Sequence, residues 1–265
     1  MTFQLKDPTL LREANLIDGQ WVPAGANAIE VKNPATGAAL GKVPRLSAAE
    51  TTRAIEAAHK AFPAWRDMLP AARAAIMRKW SALIAANMDD LALLLTTEQG
   101  KPLAEAKGEI NSCIAYLDWF AEEARRAYGD VVPPYKAGAR TLVIKQAVGV
   151  CSAITPWNFP ASMIARKFAP AMAAGCTMVI KPASATPLIA LALVDLAMRA
   201  GIPAGVINMV TGDAGVIGDL LATHPLIRKV SFTGSTEVGK MLMAKAAGSM
   251  KRSEERRVGK ECRSR

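Results

Sequence analysis

Histidine, cysteine and aromatic residues are all scarce in this chain of 265 residues, and each scarcity removes a class of function. The two histidines, His59 in a charged helical stretch and His224 before a proline, read as surface residues. Four cysteines, Cys113, Cys151, Cys176 and Cys262, form no C-x-x-C pair and have no histidine at ligand spacing, so no metal site is expected. Cys151 and Cys176 sit in apolar company and read as buried, inert thiols. Aromatic residues make up 5% and are not interleaved with basic ones, which removes the stacking surface of a nucleic-acid binder. No apolar run reaches the roughly 20 residues of a membrane span. Met1 to Asn15 carries no apolar signal core either, and the default is a cytoplasmic protein.

What is present is a hydrophobic content of 51%, enough for a sizeable core in one large or two ordinary domains. The formal net charge is +10, but its distribution matters more than its size. Residues 251 to 265, KRSEERRVGKECRSR, hold seven Lys/Arg and three Glu, so the tail supplies +4 and leaves +6 on the body. That tail is short of apolar residues and is expected to be disordered.

Turn and strand signals dominate the first 45 residues: a DG turn in LIDGQWV, and a second turn at Lys32 to Gly37. Helices follow. Ser47 and Glu50 form a capping box ahead of a helix to about Phe62; Pro70 opens a longer helical stretch that Gly100 ends; Pro102 starts another, to about Tyr128. The run TLVIKQAVGVCSAIT favours strands. Beyond it, strands near 149–154, 177–181, 206–210 and 228–232 alternate with helices near 160–174, 187–200, 214–222 and 235–247. Four such units predict an α/β fold, a doubly wound parallel sheet with helices on its faces.

Ligands of such sheets bind at the carboxyl edge of the strands. TPWNFP, Thr155 to Pro160, occupies that edge after the first strand, and its two prolines hold Thr155 and Phe159 out of helix. They either fix where Trp157 and Asn158 point or merely end a strand and start a helix. Lys181 and Ser184 lie at the same edge, where a dinucleotide's adenosine ribose is held, and their hydroxyl and cation leave room for a 2′-phosphate. Ser235 opens the last helix, where a pyrophosphate meets backbone N–H groups. Gly212, Gly215 and Gly218 form a G-x-x-G-x-x-G whose spacing and position differ from the usual dinucleotide fingerprint, and turns explain such glycines as well as a phosphate does.

TPWNFP, KPASATP, FTGSTEVG and TTEQGKPLAEAKGEI, together and in this order, resemble the aldehyde dehydrogenase superfamily, and within it the bacterial NADP-dependent succinate-semialdehyde dehydrogenases. The likeness runs from about Leu11 to about Met250. It implies a Rossmann-variant sheet with N-terminal helices over residues 1–132, an oligomerisation arm of strands over 133–148, and a dinucleotide-binding core over 149–250. It implies oxidation of succinate semialdehyde, or a related short semialdehyde, with NADP or NAD, in a homo-oligomer (dimer or tetramer). Asn158 would stabilise the oxyanion. Thr155, Pro156, Trp157, Lys181, Ser184, Gly212, Phe232, Gly234, Ser235 and Gly239 would border the cofactor. Arg166, on a helix shared with Lys167, would meet the substrate carboxylate or else be a surface arginine; a guanidinium grips a carboxylate bidentately.

Past Met250 the family continues with a glutamate base and a catalytic domain bearing the nucleophilic cysteine. Residues 251–265 match neither, and Glu254, Glu255 and Cys262 take no catalytic role. The resemblance therefore implies an incomplete family member, inactive as it stands; the alternative is a naturally short chain that binds a dinucleotide or modulates a full-length relative.

Overall fold

Asp18 and Gly19 both take positive φ, 51° and 75°, and this two-residue turn folds β1 (Ala14–Ile17) onto β2 (Gln20–Pro23) with Ile17 opposite Gln20. It is the DG hairpin expected from the sequence. The computed structural model describes residues 4–249 and 251–257. β3 (Ile29–Lys32) and β4 (Ala39–Val43) form a separate ladder, closed by a turn in which Gly37 N donates to the Asn33 carbonyl at 2.8 Å.

The Ser47–Glu50 box caps α1 (Ala48–Asp67): Ser47 N donates to Glu50 Oε2 at 2.8 Å and Glu50 N to Ser47 Oγ at 3.3 Å. α1 runs past the expected end near Phe62, through Pro63, because Trp65 is buried there and its Nε1 donates to the Met172 carbonyl at 3.2 Å. The stretch opened by Pro70 is two helices, α2 (Pro70–Ala86) and α3 (Met88–Gln99). Asn87 breaks it by turning its side-chain amide onto the Leu83 carbonyl, a local hydrogen bond that competes with the helix. Gly100, at φ 92°, ends α3, and α4 (Leu103–Glu123) stops short of Tyr128 in a single 3-10 turn, Ala124–Arg126.

β5 (Asp130–Val132) and β6 (Thr141–Val143) pair only with each other and leave Val131, Tyr135, Leu142 and Ile144 largely exposed. The alternating region follows as β7 (Val150–Ile154), α5 (Ser162–Ala173), β8 (Thr177–Lys181), α6 (Leu188–Ala200), β9 (Ile207–Met209), α7 (Ala214–Thr223), β10 (Ile227–Gly234) and α8 (Thr236–Ala247). Every one of these elements falls within a few residues of its expected place.

The basic tail departs from expectation. Arg252–Arg257 forms β11, paired parallel to β10 in the register Lys229 to Arg252 through Gly234 to Arg257. An open sheet edge recruits any extended backbone through its main-chain groups, so composition alone does not keep such a segment unstructured. Residues 258–265 lie outside the described residues.

The main sheet has the order β11-β10-β7-β8-β9-β1-β2, parallel from β11 to β9 and antiparallel at β1 and β2. One face carries α1, α7 and α8 and buries Ile55, Val150, Val179, Ile217 and Val230; the other carries α5 and α6, backed by α2, α3 and α4. On that second face Trp80 stacks on Phe168, with ring centroids 4.2 Å apart, and donates to the Leu193 carbonyl at 2.9 Å. Side chains alternate between the faces, as pleated strands require: Val150 packs on the first, Cys151 and Ala153 on the second.

Candidate functional site

From β7 the chain winds outward through β8 and β9, then returns to place β10 on the other side of β7. The winding reverses between β7 and β10, and crevices at such switch points hold ligands at the carboxyl ends of the strands. Ile154 pairs with Phe232 on one side and Lys181 on the other, so a single row across three strands marks this edge. Thr155, Pro156, Trp157, Asn158, Ser184, Gly212 and Ser235 follow within four residues of the strands of the edge, and Gly234 is the last residue of β10. Thr155 N donates to the Lys181 carbonyl at 3.2 Å, tying two of the segments together.

The loop after β7 is held by groups that sequence reading did not single out. Lys101 Nζ, buried, donates to the Asn158 carbonyl at 3.0 Å and lies 4.2 Å from the centroid of the Phe159 ring. It also pairs with Glu109 Oε2 at 2.5 Å, and Glu109 Oε1 accepts from Ala161 N at 2.8 Å and Ser162 N at 3.0 Å. One buried ion pair thus grips both ends of the turn that carries Asn158. The signal lay in the turn EQGKP and the helix after it, but nothing local says that Lys101 reaches a carbonyl 57 positions away.

Trp157 is half exposed at the mouth of this turn, while Asn158 is partly buried with its Oδ1 lacking a partner. Thr155, Thr186 and Thr233, near the ends of β7, β8 and β10, also have buried hydroxyls without partners. Buried polar groups are normally paired, so this concentration at one edge suits a polar ligand. Burial lowers the affinity of the Lys181 ammonium for its proton, and nearby Asp213 opposes the shift. Ser184 is exposed beside it. Ser235 caps α8 by accepting from Val238 N at 3.4 Å, and Gly239 is buried in the first turns of that helix.

Gly212 has a packing explanation: it bridges to Leu46 itself, and a Cβ there would sit 2.8 Å from the Leu46 carbonyl oxygen. Gly234 is crowded instead by the Phe232 ring, 2.5 Å from where a Cβ would stand.

Arg166 is not at this edge. It lies on α5 with its guanidinium 5.4 Å from the Tyr116 ring centroid, lining a cavity of about 530 Å³ bounded also by Phe120, Cys151, Cys176, Lys229 and Ser231. Lys167, which the sequence places beside it on a surface, is buried and donates to Ser231 Oγ at 2.8 Å. His224 is half-buried rather than on the surface; Leu226 N donates to its Nδ1 at 3.3 Å, and burial lowers its pKa. No helix among the described residues is long and apolar enough to cross a membrane.

A model of the aldehyde dehydrogenase family matches residues 21–260, past Met250. The chain is 58% identical to the glutarate-semialdehyde dehydrogenase of Pseudomonas putida and 56% identical to the NADP(+) succinate-semialdehyde dehydrogenase of Escherichia coli, in each case across 94% of this chain and 52% of that protein. The crystal structure of an E. coli NADP-dependent enzyme superposes with a TM-score of 0.95 at 55% identity, over 97% of this chain and 53% of that one. The chain spans about half the length of the curated relatives it matches.

Proposed function

Because the chain belongs to the aldehyde dehydrogenase family, we propose that it supplies the dinucleotide crevice and the oxyanion donor for oxidation of succinate semialdehyde, or a related short semialdehyde, to the acid with NADP or NAD. The observation that carries the reading is the Asn158 turn, gripped by the buried Lys101–Glu109 pair at the switch point of the sheet. Negative charge grows on the aldehyde oxygen as the tetrahedral adduct forms, and an amide N–H fixed beforehand meets it without reorganisation.

The cofactor fits the edge on its own terms. Lys181 offers a cation beside the exposed Ser184 hydroxyl, chemistry that suits a ribose 2′-phosphate, and the start of α8 offers backbone N–H groups to a pyrophosphate. The unpaired hydroxyls of Thr155 and Thr233 suit its polar portions. When bound, the nicotinamide accepts the hydride that the substrate carbon gives up.

Succinate and glutarate semialdehydes both carry a second carboxylate, which a guanidinium holds with two parallel hydrogen bonds; Arg166, one turn into the helix that follows the Asn158 turn, is its proposed partner. Among the described residues the thiols are Cys113, Cys151 and Cys176, all buried and none at the Asn158 turn. In this reading the nucleophilic cysteine and the glutamate base belong to the half of the family's length that is not spanned here, and the chain alone binds nucleotide without turning over aldehyde. The exposed Val131, Tyr135, Leu142 and Ile144 of the arm are covered by other copies in a homo-oligomer.

Titrating NADP and NAD into the chain while following Trp157 emission, with Trp157→Phe as the blank, tests the crevice. Saturable quenching is expected, and Lys181→Ala should weaken NADP more than NAD. In a protein of full family length carrying this segment, Asn158→Ala should lower kcat for succinate semialdehyde by roughly 100- to 1000-fold with nucleotide affinity unchanged. A flat titration together with an unchanged kcat overturns the proposal.

A further inference from the structure

The semialdehyde reading gives Arg45 no role, yet the fold brings this residue to the carboxyl edge of the sheet. Val210 N donates to the Ile180 carbonyl at 2.9 Å, so the chain leaving β9 runs beside the end of β8 and Lys181. Along its other side lies the connection from β4 to α1. Leu46 N donates to the Thr211 carbonyl at 2.9 Å, the Thr211 hydroxyl donates to the Pro44 carbonyl at 2.5 Å, and Leu46 bridges Gly212 in parallel. Arg45 stands between the two residues that make these contacts. Both are buried and Arg45 is exposed, as alternation along an extended chain requires. The capping box of Ser47 and Glu50 fixes the backbone that follows.

The middle segment carries an acid. Asp213, exposed and next after Gly212, accepts from Gly215 N at 2.9 Å and Val216 N at 3.0 Å, which pins its carboxylate at the start of α7. Those two bonds foremost, with desolvation opposing and the Arg45 and Lys181 charges helping, keep the carboxyl below its usual range. The edge therefore presents three fixed segments in a row, with Lys181 on the first, an ionised Asp213 on the second and Arg45 on the third.

Charge decides what this row can hold. A phosphate monoester carries about −1.5 to −2 charges at pH 7. With Lys181 alone, such a group would meet one cation beside one anion, and opposite charges at similar distances nearly cancel. Arg45, on the far flank of Asp213, restores a net positive charge, and its guanidinium presents paired donors that match phosphate oxygens. A free 2′-hydroxyl carries no charge and gains nothing from the second cation.

We propose that Arg45 is the second cation of the ribose 2′-phosphate subsite, acting with Lys181 from opposite flanks of Asp213, and that it sets how far NADP is preferred over NAD. The inference rests on the dinucleotide crevice and adds to it a specificity residue from the N-terminal connection. Pro44 to Leu46 carries no nucleotide motif; the bridge to Gly212 is what places Arg45 beside the crevice.

Calorimetric titration of the chain with adenosine 2′,5′-bisphosphate, adenosine 5′-monophosphate, NADP and NAD separates the subsite from the crevice. Arg45→Gln should weaken the bisphosphate and NADP at least about tenfold and leave the monophosphate and NAD within about twofold, with the thermal midpoint unmoved. Arg45→Lys should recover part of the loss, and raised salt should shrink the gap between Arg45→Gln and the unaltered chain. Asp213→Asn, which keeps a side-chain cap on α7, should tighten the bisphosphate and leave the monophosphate unchanged. Equal losses for phosphorylated and unphosphorylated ligands in Arg45→Gln, or no loss at all while the unaltered chain binds NADP, overturn the role of Arg45 and leave the crevice standing. Absence of binding by all four ligands to the unaltered chain overturns both.

Discussion

Two glutamates from the helical layer cap two helices at the same edge of the sheet, and they differ in one partner. Glu109 accepts from the first backbone N–H groups around α5, Ala161 and Ser162; Glu98 accepts from those of α6, Leu188 at 2.6 Å and Ile189 at 3.0 Å. Both carboxyls are buried, and both meet the positive end of a helix dipole. Only Glu109 has a cation, Lys101, in contact. Without one, burial pushes Glu98 up to about 8, its two backbone donors pulling the other way. The comparison shows that N–H donors alone do not keep a buried carboxylate ionised. The helix that follows the proposed oxyanion donor has a cap braced by an ion pair; its neighbour's cap has no such partner.

The comparison breaks most severely at Lys101. Lys101→Ala leaves Glu109 buried without its cation and should cost ~3–5 kcal/mol of stability, read as a large drop in thermal midpoint. Adding Glu109→Gln should return much of that loss, since no uncompensated charge then remains. A loss for Lys101→Ala no larger than that of a surface substitution would remove the asymmetry between the two caps.

Glu98→Gln sharpens the other side. A carboxyl whose folded pKa is raised supports the fold fully below its ordinary value of 4.5 and loses that support as pH climbs through about 8. The thermal midpoint of the unaltered chain should therefore fall relative to Glu98→Gln between those two values and run parallel to it above them. A constant gap across the range would mean that Glu98 is ionised throughout.

Lys107→Ala sets the lower bound. Its pair with Asp89, 2.8 Å apart but about half exposed on both sides, should leave the thermal midpoint almost unchanged when removed, and any difference should vanish in salt. A denaturation series at low and high salt checks it.

Much of this architecture was legible locally. Asp18–Gly19 can adopt the positive φ of a tight hairpin, Ser47 and Glu50 satisfy one another's backbone donors, and the β-branched run ending at Lys181 suits a strand buried on both faces. The carboxyl-edge residues were legible because each directly follows a strand. The hold on Asn158 was not, since Lys101 and Glu109 look like an ordinary turn lysine and helix glutamate until α4 is packed against the sheet. Arg166 sits eight residues from Asn158, one turn into α5, where it lines a cavity with Tyr116 and Phe120. Arg252–Arg257 gave no local strand signal, because what orders it is the free edge of β10.

By itself the sequence determined the alternation of strands and helices, their caps and turns, and the family, all of which rest on contacts within a few residues or on motifs read in order. Only the tertiary structure decided which charges are buried together and where the guanidinium points. Those depend on distances between segments far apart in the chain, and the free energy of a buried charge is set by partners and solvent exclusion that exist only once the layers are packed.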